Sequence, residues 1–265
     1  MNIEQQRKVV EALEAGRAKI DTPEKWTKGA FARDVNGNPV DDTAPTAVCF
    51  CSLGALSLNQ VSASVHILNS CANGYDNIVN FNDADETTHE QVIAVWDKAI
   101  EKAKDKLVVL NLERLIQAVE QQPETSFDLS YFRKDQTAED NVCGTLFCTV
   151  GLACTLPEFS AIGFELKAQP SHRWDLPGVV SYKAYVNDVD VYMAHETDTT
   201  FGNNAFERLF DCRGCGIMDD SHPNFVLYDA DEPDDGGEID ESVTDKQLAL
   251  WRLNEQLAIY KEKLA

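Results

Sequence analysis

The sequence predicts a helix-rich α+β protein built from two diverged copies of one unit, the second copy carrying an inserted β-rich segment. Segments recur in the same order in both halves, helical apolar stripes lie near the ends of each copy, and residues 179–191 alternate between apolar and polar. A chain of 265 residues can form two hydrophobic cores. We place the first unit at residues 1–108 and the second at 109–265.

The duplication is indicated by three matched pairs of segments. A single short match arises by chance, whereas an ordered set indicates a repeat. The first pair is followed in each copy by an aromatic residue at the same spacing, Trp26 and Phe132. The pairs are Val9–Glu14 with Leu115–Glu120, Cys51–Ala55 with Cys148–Leu152, and the identical Asp83–Glu86 and Asp229–Glu232.

Local patterns place the elements of the first copy. Residues Ile3 to Ile20 form an amphipathic helical pattern. Asn36-Gly37 predicts a hairpin whose short arms are Phe31–Asp34 and Pro39–Val40. The copy ends in an apolar helical stripe from Val92 to Ala103.

Capping patterns also predict where helices begin. Thr87 and Glu90 have capping-box spacing before the stripe that ends the first copy. Thr88 to Gln91 and Thr244 to Gln247 each form a Thr-x-x-Gln helix start downstream of an acidic tetrapeptide. In the second copy, Val179 to Val191 predicts β-structure, and a helix is expected from Thr244 to the end of the sequence.

The charge is strongly negative and uneven. The net charge is −22, and residues 1–109 carry 11 basic and 16 acidic side chains against 12 and 29 in residues 110–265. Such a field repels phosphate backbones, so we expect no direct binding to nucleic acid. The field attracts a protein partner with a basic surface, and the alternative is that the charge serves solubility alone.

One acidic run predicts where such a partner binds. Residues 229–245 hold nine carboxylates and no basic residue, which predicts a solvated loop. The carboxylates expected to contact the partner are Asp229, Asp231, Glu232, Asp234, Asp235, Glu238 and Asp240.

The sequence also predicts the compartment. No apolar run reaches the length needed to span a bilayer, and the first residues lack the apolar core of a signal peptide. Several of the eight cysteines sit in apolar stretches, where reduced thiols are expected. We expect no membrane association and a location in the cytoplasm, of the host cell if the protein is phage-encoded, or in a virion.

The Cys-x-x-Gly segments are candidates for catalysis. A thiol at a helix start can become a nucleophilic thiolate, and a cysteine hydrolase then needs a histidine base and an orienting polar group. The alternative is that cysteine and glycine let two helices pack closely in a core. The hydrolase candidates are Cys51 with His66 or His89 and Asn82, and Cys148 with His195 and Asp229.

A zinc site is a further alternative. Cys212-Arg213-Gly214-Cys215-Gly216 has the form of half a zinc knuckle, with glycines that allow a tight turn. The sequence contains no second Cys-x-x-Cys, so an ordinary reduced turn without a cofactor is the favoured interpretation. Completion of the site through space would require ligands from among Cys71, Cys143, Cys148 and His222.

Two stretches resemble known protein families. Trp26, Gly29, Asn36-Gly37, Cys51-x-x-Gly54-Ala55-Leu56 and Phe81-Asn82-Asp83 resemble an uncharacterised bacterial and phage domain family. Cys143-Gly144-Thr145-x-x-Cys148-x-x-Gly151-x-Ala153, followed by Ala205 and Leu209-Phe210, resembles a pattern of small uncharacterised phage proteins. These resemblances imply a phage-encoded protein without an assigned activity.

Three functional hypotheses follow. The leading one is a non-enzymatic phage-type accessory protein that inhibits a host factor with a basic surface or serves the virion. The others are a cysteine-dependent hydrolase using Cys51 or Cys148, and a structural scaffold whose charge confers solubility only. The oligomeric state stays open.

Overall fold

The computed structural model separates the described chain into two compact units. One comprises Met1–Leu107 with Leu264, and the other Val108–Lys263 with Ala265. The predicted helix-rich α+β class is confirmed, while the duplication stays a prediction. The residues described are 1–56, 62–72, 74–127, 133–135, 145–147, 149–161, 163–170, 180–186, 189–190 and 244–265.

The first unit is mainly helical, with one small sheet. A 3-10 turn at Pro23–Lys25 follows the first helix. The strands β1 (Ala32–Arg33), β2 (Pro39–Val40) and β3 (Cys49–Phe50) form an antiparallel sheet in the order β2-β1-β3. The helices are α1 (Ile3–Lys19), α2 (Ser52–Ala55), α3 (Ser62–Cys71), α4 (Ile78–Asp83) and α5 (His89–Gln121).

Helix α1 confirms the amphipathic pattern read from the sequence. Asn2 and Gln5 form a capping box that satisfies backbone N–H groups at the helix start. The helix buries Val9 and Leu13 completely in the core of the first unit, where Trp96 is also fully buried. The helix therefore contributes one face to the core.

Helix α5 begins at the predicted Thr-x-x-Gln start, Thr88 to Gln91, and not at the alternative capping pair of Thr87 and Glu90. The capping box is formed by Thr88 and Gln91, whose backbone and side-chain atoms exchange hydrogen bonds of 2.8 and 3.4 Å. Thr87 is buried and its N–H donates to Ala84 O instead. The helix then runs unbroken for 33 residues, because strong helix formers dominate residues 89–121 and glycine and proline are absent there.

The predicted hairpin is confirmed, with a longer turn than two residues. Asp34 and Asn38 are joined by a backbone hydrogen bond of 2.9 Å, and Gly37 takes a φ of +81°, which favours glycine. The Asp34 carboxylate accepts N–H bonds from Asn36 and Asn38. An Asx-type turn thus closes β1 onto β2.

The second unit contains the other sheet. A 3-10 turn at Glu124–Ser126 precedes its strands. The described strands are β4 (Arg133–Asp135), β5 (Thr145–Phe147), β6 (Phe164–Pro170), β7 (Val180–Val186) and β8 (Val189–Asp190), and the helices are α6 (Thr149–Thr155), α7 (Pro157–Ser160) and α8 (Asp245–Leu264). The strands lie in the order β5-β4-β7-β6, with β8 paired to β7. The β-structure predicted for residues 179–191 is confirmed where the structure describes them, in β7 and β8.

Helix α8 confirms the predicted final helix and lies against the second half of α5. Thr244 and Gln247 form its capping box. Lys246 donates to the carbonyls of Glu120 and Gln122, and Lys261 pairs with Glu113 at 2.9 Å. Among the described residues, no helix is long and apolar enough to cross a membrane.

Gly54 allows α2 to pack directly against a strand backbone. A Cβ built on Gly54 would lie 2.0 Å from Phe31 O, well inside van der Waals contact. The Cys51 N–H donates to the same carbonyl at 3.0 Å. The glycine therefore permits a close approach of a helix to β1, where the sequence suggested packing of two helices.

We predict that Gly54→Ala destabilises the protein despite the better helix propensity of alanine. Overpacking against a fixed carbonyl costs about 3 kcal/mol, which exceeds the roughly 1 kcal/mol gained from propensity. Urea unfolding followed by tryptophan fluorescence would measure the difference. Gly37→Ala is the control, because a Cβ there meets no atom within 4 Å and only the φ of +81° opposes it. A Gly54→Ala protein as stable as the wild type would contradict the packing described.

Candidate functional site

The residues of the first resemblance meet around the side-chain amide of Asn82, which is 1% exposed. Its Oδ1 accepts hydrogen bonds from Trp26 Nε1 at 2.8 Å and from both the N–H and the hydroxyl of Ser52 at 3.0 Å. Its Nδ2 donates to Thr27 O at 3.0 Å and to Asp83 Oδ1 at 2.8 Å. Both N–H groups of the amide have an acceptor, and the two lone pairs of its oxygen are shared among three donors, so its hydrogen-bonding capacity is fully used.

Two further groups extend this cluster. Trp96 Nε1 donates to the Ser52 hydroxyl at 3.3 Å, and both residues are fully buried. Asp83 Oδ1 also accepts the Gly29 N–H at 3.0 Å, where Gly29 has a φ of +70°. We call this cluster the Asn82 network; its members are Trp26, Thr27, Gly29, Ser52, Asn82, Asp83 and Trp96.

The Asn82 network joins segments that are distant in the sequence. It ties α4 to the loop that contains Trp26 and to the start of α2. Lys28 adds a second link, because its Nζ donates to Ala84 O at 2.5 Å and lies 5.3 Å from the centre of the Trp26 ring. A satisfied buried polar network of this kind specifies one packing arrangement.

Cys51 is the N-cap of α2, as its position before small residues predicted. Its Sγ accepts a hydrogen bond from Gly54 N at 3.3 Å. Burial raises the pKa of the Cys51 thiol, and the Asp83 carboxylate adds to the rise, against the lowering effect of the Gly54 and Leu53 N–H groups. The rise in the thiol pKa caused by burial exceeds the lowering caused by the N–H groups at the helix start, because α2 has only one turn. The thiol therefore stays protonated at neutral pH.

The two described histidines do not reach this thiol. His66 is exposed on α3. His89 Nε2 donates to Ile20 O at 2.8 Å, and its ring lies 6.0 Å from that of Trp26. Asn82 has no group left to orient an imidazole. Within the described residues, the arrangement around Cys51 supplies no general base.

The remaining candidate residues lie mostly outside the described part of the chain. Cys71 is described, and it is buried with its Sγ 3.9 Å from the Ser70 hydroxyl. Across the described ranges, no group of three or more histidine, cysteine or acidic side chains could hold a metal ion. The candidates outside the described residues are Cys143, Cys148, His195, Cys212, Cys215, His222, Asp229, Asp231, Glu232, Asp234, Asp235, Glu238 and Asp240.

Comparison with known proteins finds one family. Residues 4–102 match a family described as a family of unknown function, DUF6197. This match confirms that the first part of the chain is similar to an uncharacterised domain family. No curated protein and no solved structure matches the chain. The matched residues contain the whole Asn82 network.

The sequence motif contains Trp26, Gly29, Asn82 and Asp83 of the network, but it does not indicate a role for Thr27, Ser52 or Trp96. Ser52 lies inside the Cys-x-x-Gly segment, whose pattern is defined by the cysteine and the glycine. Trp96 lies in the predicted apolar stripe from Val92 to Ala103, although an indole N–H needs an acceptor when it is buried. The sequence signal for the network is the presence of four tryptophans, together with polar residues near glycine-containing turns that can accept hydrogen bonds from indole N–H groups.

We predict that Asn82→Ala destabilises the protein by about 3 kcal/mol, because it leaves the buried N–H and hydroxyl of Ser52 and the partly buried Trp26 indole N–H without their acceptor. Urea unfolding and the emission maximum of the tryptophans would report the loss. Asn80→Ala on the same helix is the matched control, since Asn80 is exposed. Equal stability of the two variants would show that the network does not hold the fold.

We predict slow alkylation of Cys51 by iodoacetamide at pH 7.5. Its raised pKa and its 7% exposure both keep the thiolate scarce. Cys49, which is partly exposed, serves as the internal reference, and peptide mass spectrometry resolves the two. Labelling of Cys51 before Cys49 in the folded protein would restore the hydrolase hypothesis.

Proposed function

We propose that this protein is a non-enzymatic accessory protein of phage type that acts by binding a protein partner with a basic surface. The partner is a host factor that the protein inhibits, or a virion component that it serves. It would act in the cytoplasm of the host cell or in the virion, without a cofactor. Two diverged copies of one unit would form the chain.

The observation that carries this proposal is how the Asn82 network uses its polar atoms. Asn82, Cys51 and His89, which a hydrolase would use, each make hydrogen bonds within the first unit. Asn82 has no remaining hydrogen-bond capacity, and the pKa of the Cys51 thiol is raised by burial. This part of the chain thus offers a scaffold, and the feature left for function is its surface.

The charge distribution supports a basic partner. Residues 110–265 carry 29 acidic and 12 basic side chains. A concentrated negative field accelerates encounter with a positive surface and repels nucleic acid and anionic membranes. It favours a partner that is itself a protein.

Burial patterns support the proposed duplication. Val9, Val10 and Leu13 are 0%, 8% and 0% exposed, and their counterparts Leu115, Ile116 and Val119 are also 0%, 8% and 0% exposed. A match at each of three positions is the pattern expected if the two helical segments bury the same face in their own units.

Strand pairing supports it as well. An antiparallel pair precedes the Cys-x-x-Gly helix in each half, β1 with β3 and β4 with β5. The residue before each cysteine, Phe50 or Phe147, pairs with the strand that follows the 3-10 turn. Trp26 and Phe127 each directly follow a 3-10 turn, and Phe132, the counterpart of Trp26 by sequence spacing, lies outside the described residues.

The proposal predicts selection of basic peptides. Panning a random peptide library displayed on phage against the full chain should enrich sequences rich in lysine and arginine. Their affinity should fall steeply with salt, because the screening length shrinks from about 10 Å at 0.1 M to about 3 Å at 1 M. Amide replacement of Asp234, Asp235, Glu238 and Asp240 should weaken binding at least about tenfold and leave the unfolding midpoint unchanged.

The control removes the same number of charges elsewhere. Glu→Gln replacement at four exposed helix positions should weaken binding far less. If both sets of substitutions weaken peptide binding equally, the negative charge acts only as a diffuse field and not through the acidic run. Enrichment of neutral or acidic peptides whose binding ignores salt would overturn the proposed function. The control positions are Glu11, Glu101, Glu255 and Glu262.

A further inference from the structure

We infer that the hairpin segment, residues 31–48, is the docking surface of the first unit for a basic protein surface that presents an apolar depression. This inference rests on the proposed function and deepens it, because it adds a second contact surface to the acidic run of residues 229–240. The sequence pattern does not indicate a binding surface at the hairpin, since Asn36-Gly37 predicts only its turn.

Exposed apolar side chains are concentrated in this segment. Of the seven large hydrophobic residues that are exposed among the described residues, three lie here: Phe31 at 46%, Val35 at 83% and Val48 at 48%. Turns normally carry polar residues and glycine, so a valine that is 83% exposed at a turn has no folding role to explain it. An exposed apolar side chain stabilises a complex when a partner covers it and removes its apolar surface from water.

The turn holds Val35 in one place. Asp34 Oδ1 accepts the N–H groups of Asn36 and Asn38 at 2.9 and 2.8 Å, and its Oδ2 accepts from Asn38 Nδ2 at 3.1 Å. The Arg33 guanidinium donates to Gly37 O at 3.0 Å across the same turn. Binding through a preorganised turn avoids the entropic cost of ordering a flexible loop.

The charges around these apolar side chains define the occupant. Asp34, Asp41 and Asp42 are the carboxylates of the segment. Hydrogen bonds from Asn38 hold the pKa of Asp34 below its usual range, and the Thr43 hydroxyl does the same for the pKa of Asp41, so both are ionised at neutral pH. Arg33, the one basic residue, donates to Thr27 Oγ1, Lys28 O and Gly37 O.

Charge complementarity therefore selects a basic partner. A second copy of this chain would bring like charges together, since its net charge is −22, and an anionic lipid surface would also repel the hairpin. A basic protein surface with a pocket for one or two aliphatic side chains satisfies both the carboxylates and the exposed valines. Central apolar anchors ringed by charges are typical of protein interfaces.

The test uses the basic peptides selected on the full chain. Val35→Ser and Val48→Ser should each weaken peptide binding by at least about fivefold, as expected for loss of an apolar anchor. Val79→Ser is the matched control, because Val79 is 37% exposed on α4 and lies outside the hairpin segment. Thermal unfolding of each variant should match the wild type, since these side chains are solvent-exposed.

The outcomes separate this inference from the proposed function. One outcome is that the selected peptides are basic and salt-sensitive but bind the Val35→Ser and Val48→Ser variants with the same affinity as the Val79→Ser control. That result would overturn the hairpin docking surface and leave the proposed function standing. Peptides without basic residues would overturn both. Loss of binding by the hairpin variants alone supports the inference.

Discussion

The first unit depends on one buried amide. Asn82 must receive three hydrogen bonds and donate two, and its partners come from the loop after α1, from the start of α2 and from its own helix. Because an unpaired polar group in a core costs about 1–3 kcal/mol, these segments gain stability only when they assemble together. The start of α2 is also held by Phe31 O, which accepts the Cys51 N–H and lies against Gly54.

The need to satisfy the buried Asn82 amide accounts for the residues of the sequence motif. Trp26, Gly29, Asn82 and Asp83 stand together in the resemblance to an uncharacterised family, and their side chains or backbone atoms contact one another in the structure. The motif thus holds together segments of the first unit, and it includes one charged side chain, that of Asp83, which accepts the N–H of Gly29 and an N–H of the Asn82 amide.

The thiol of Cys51 illustrates how tertiary context overrides a local rule. A cysteine at a helix start suggests a thiolate, and the N–H groups of α2 do act in that direction. Burial and the nearby carboxylate of Asp83 act the other way and prevail. Of the two described histidines, His89 donates from Nε2 to the Ile20 carbonyl, and His66 is exposed on α3.

The sequence by itself determined the elements whose signals are local. Apolar periodicity and capping residues located α1 and α8, and Asn36-Gly37 located the hairpin, because these preferences act within a few residues. Only the tertiary structure decided the Asn82 network, since Trp26, Ser52 and Trp96 are 26 to 70 residues apart along the chain and no local preference links them. It also decided between the two capping pairs that the sequence offers before α5: Thr88 and Gln91 form the cap, because Thr87 is buried and its N–H donates to Ala84 O.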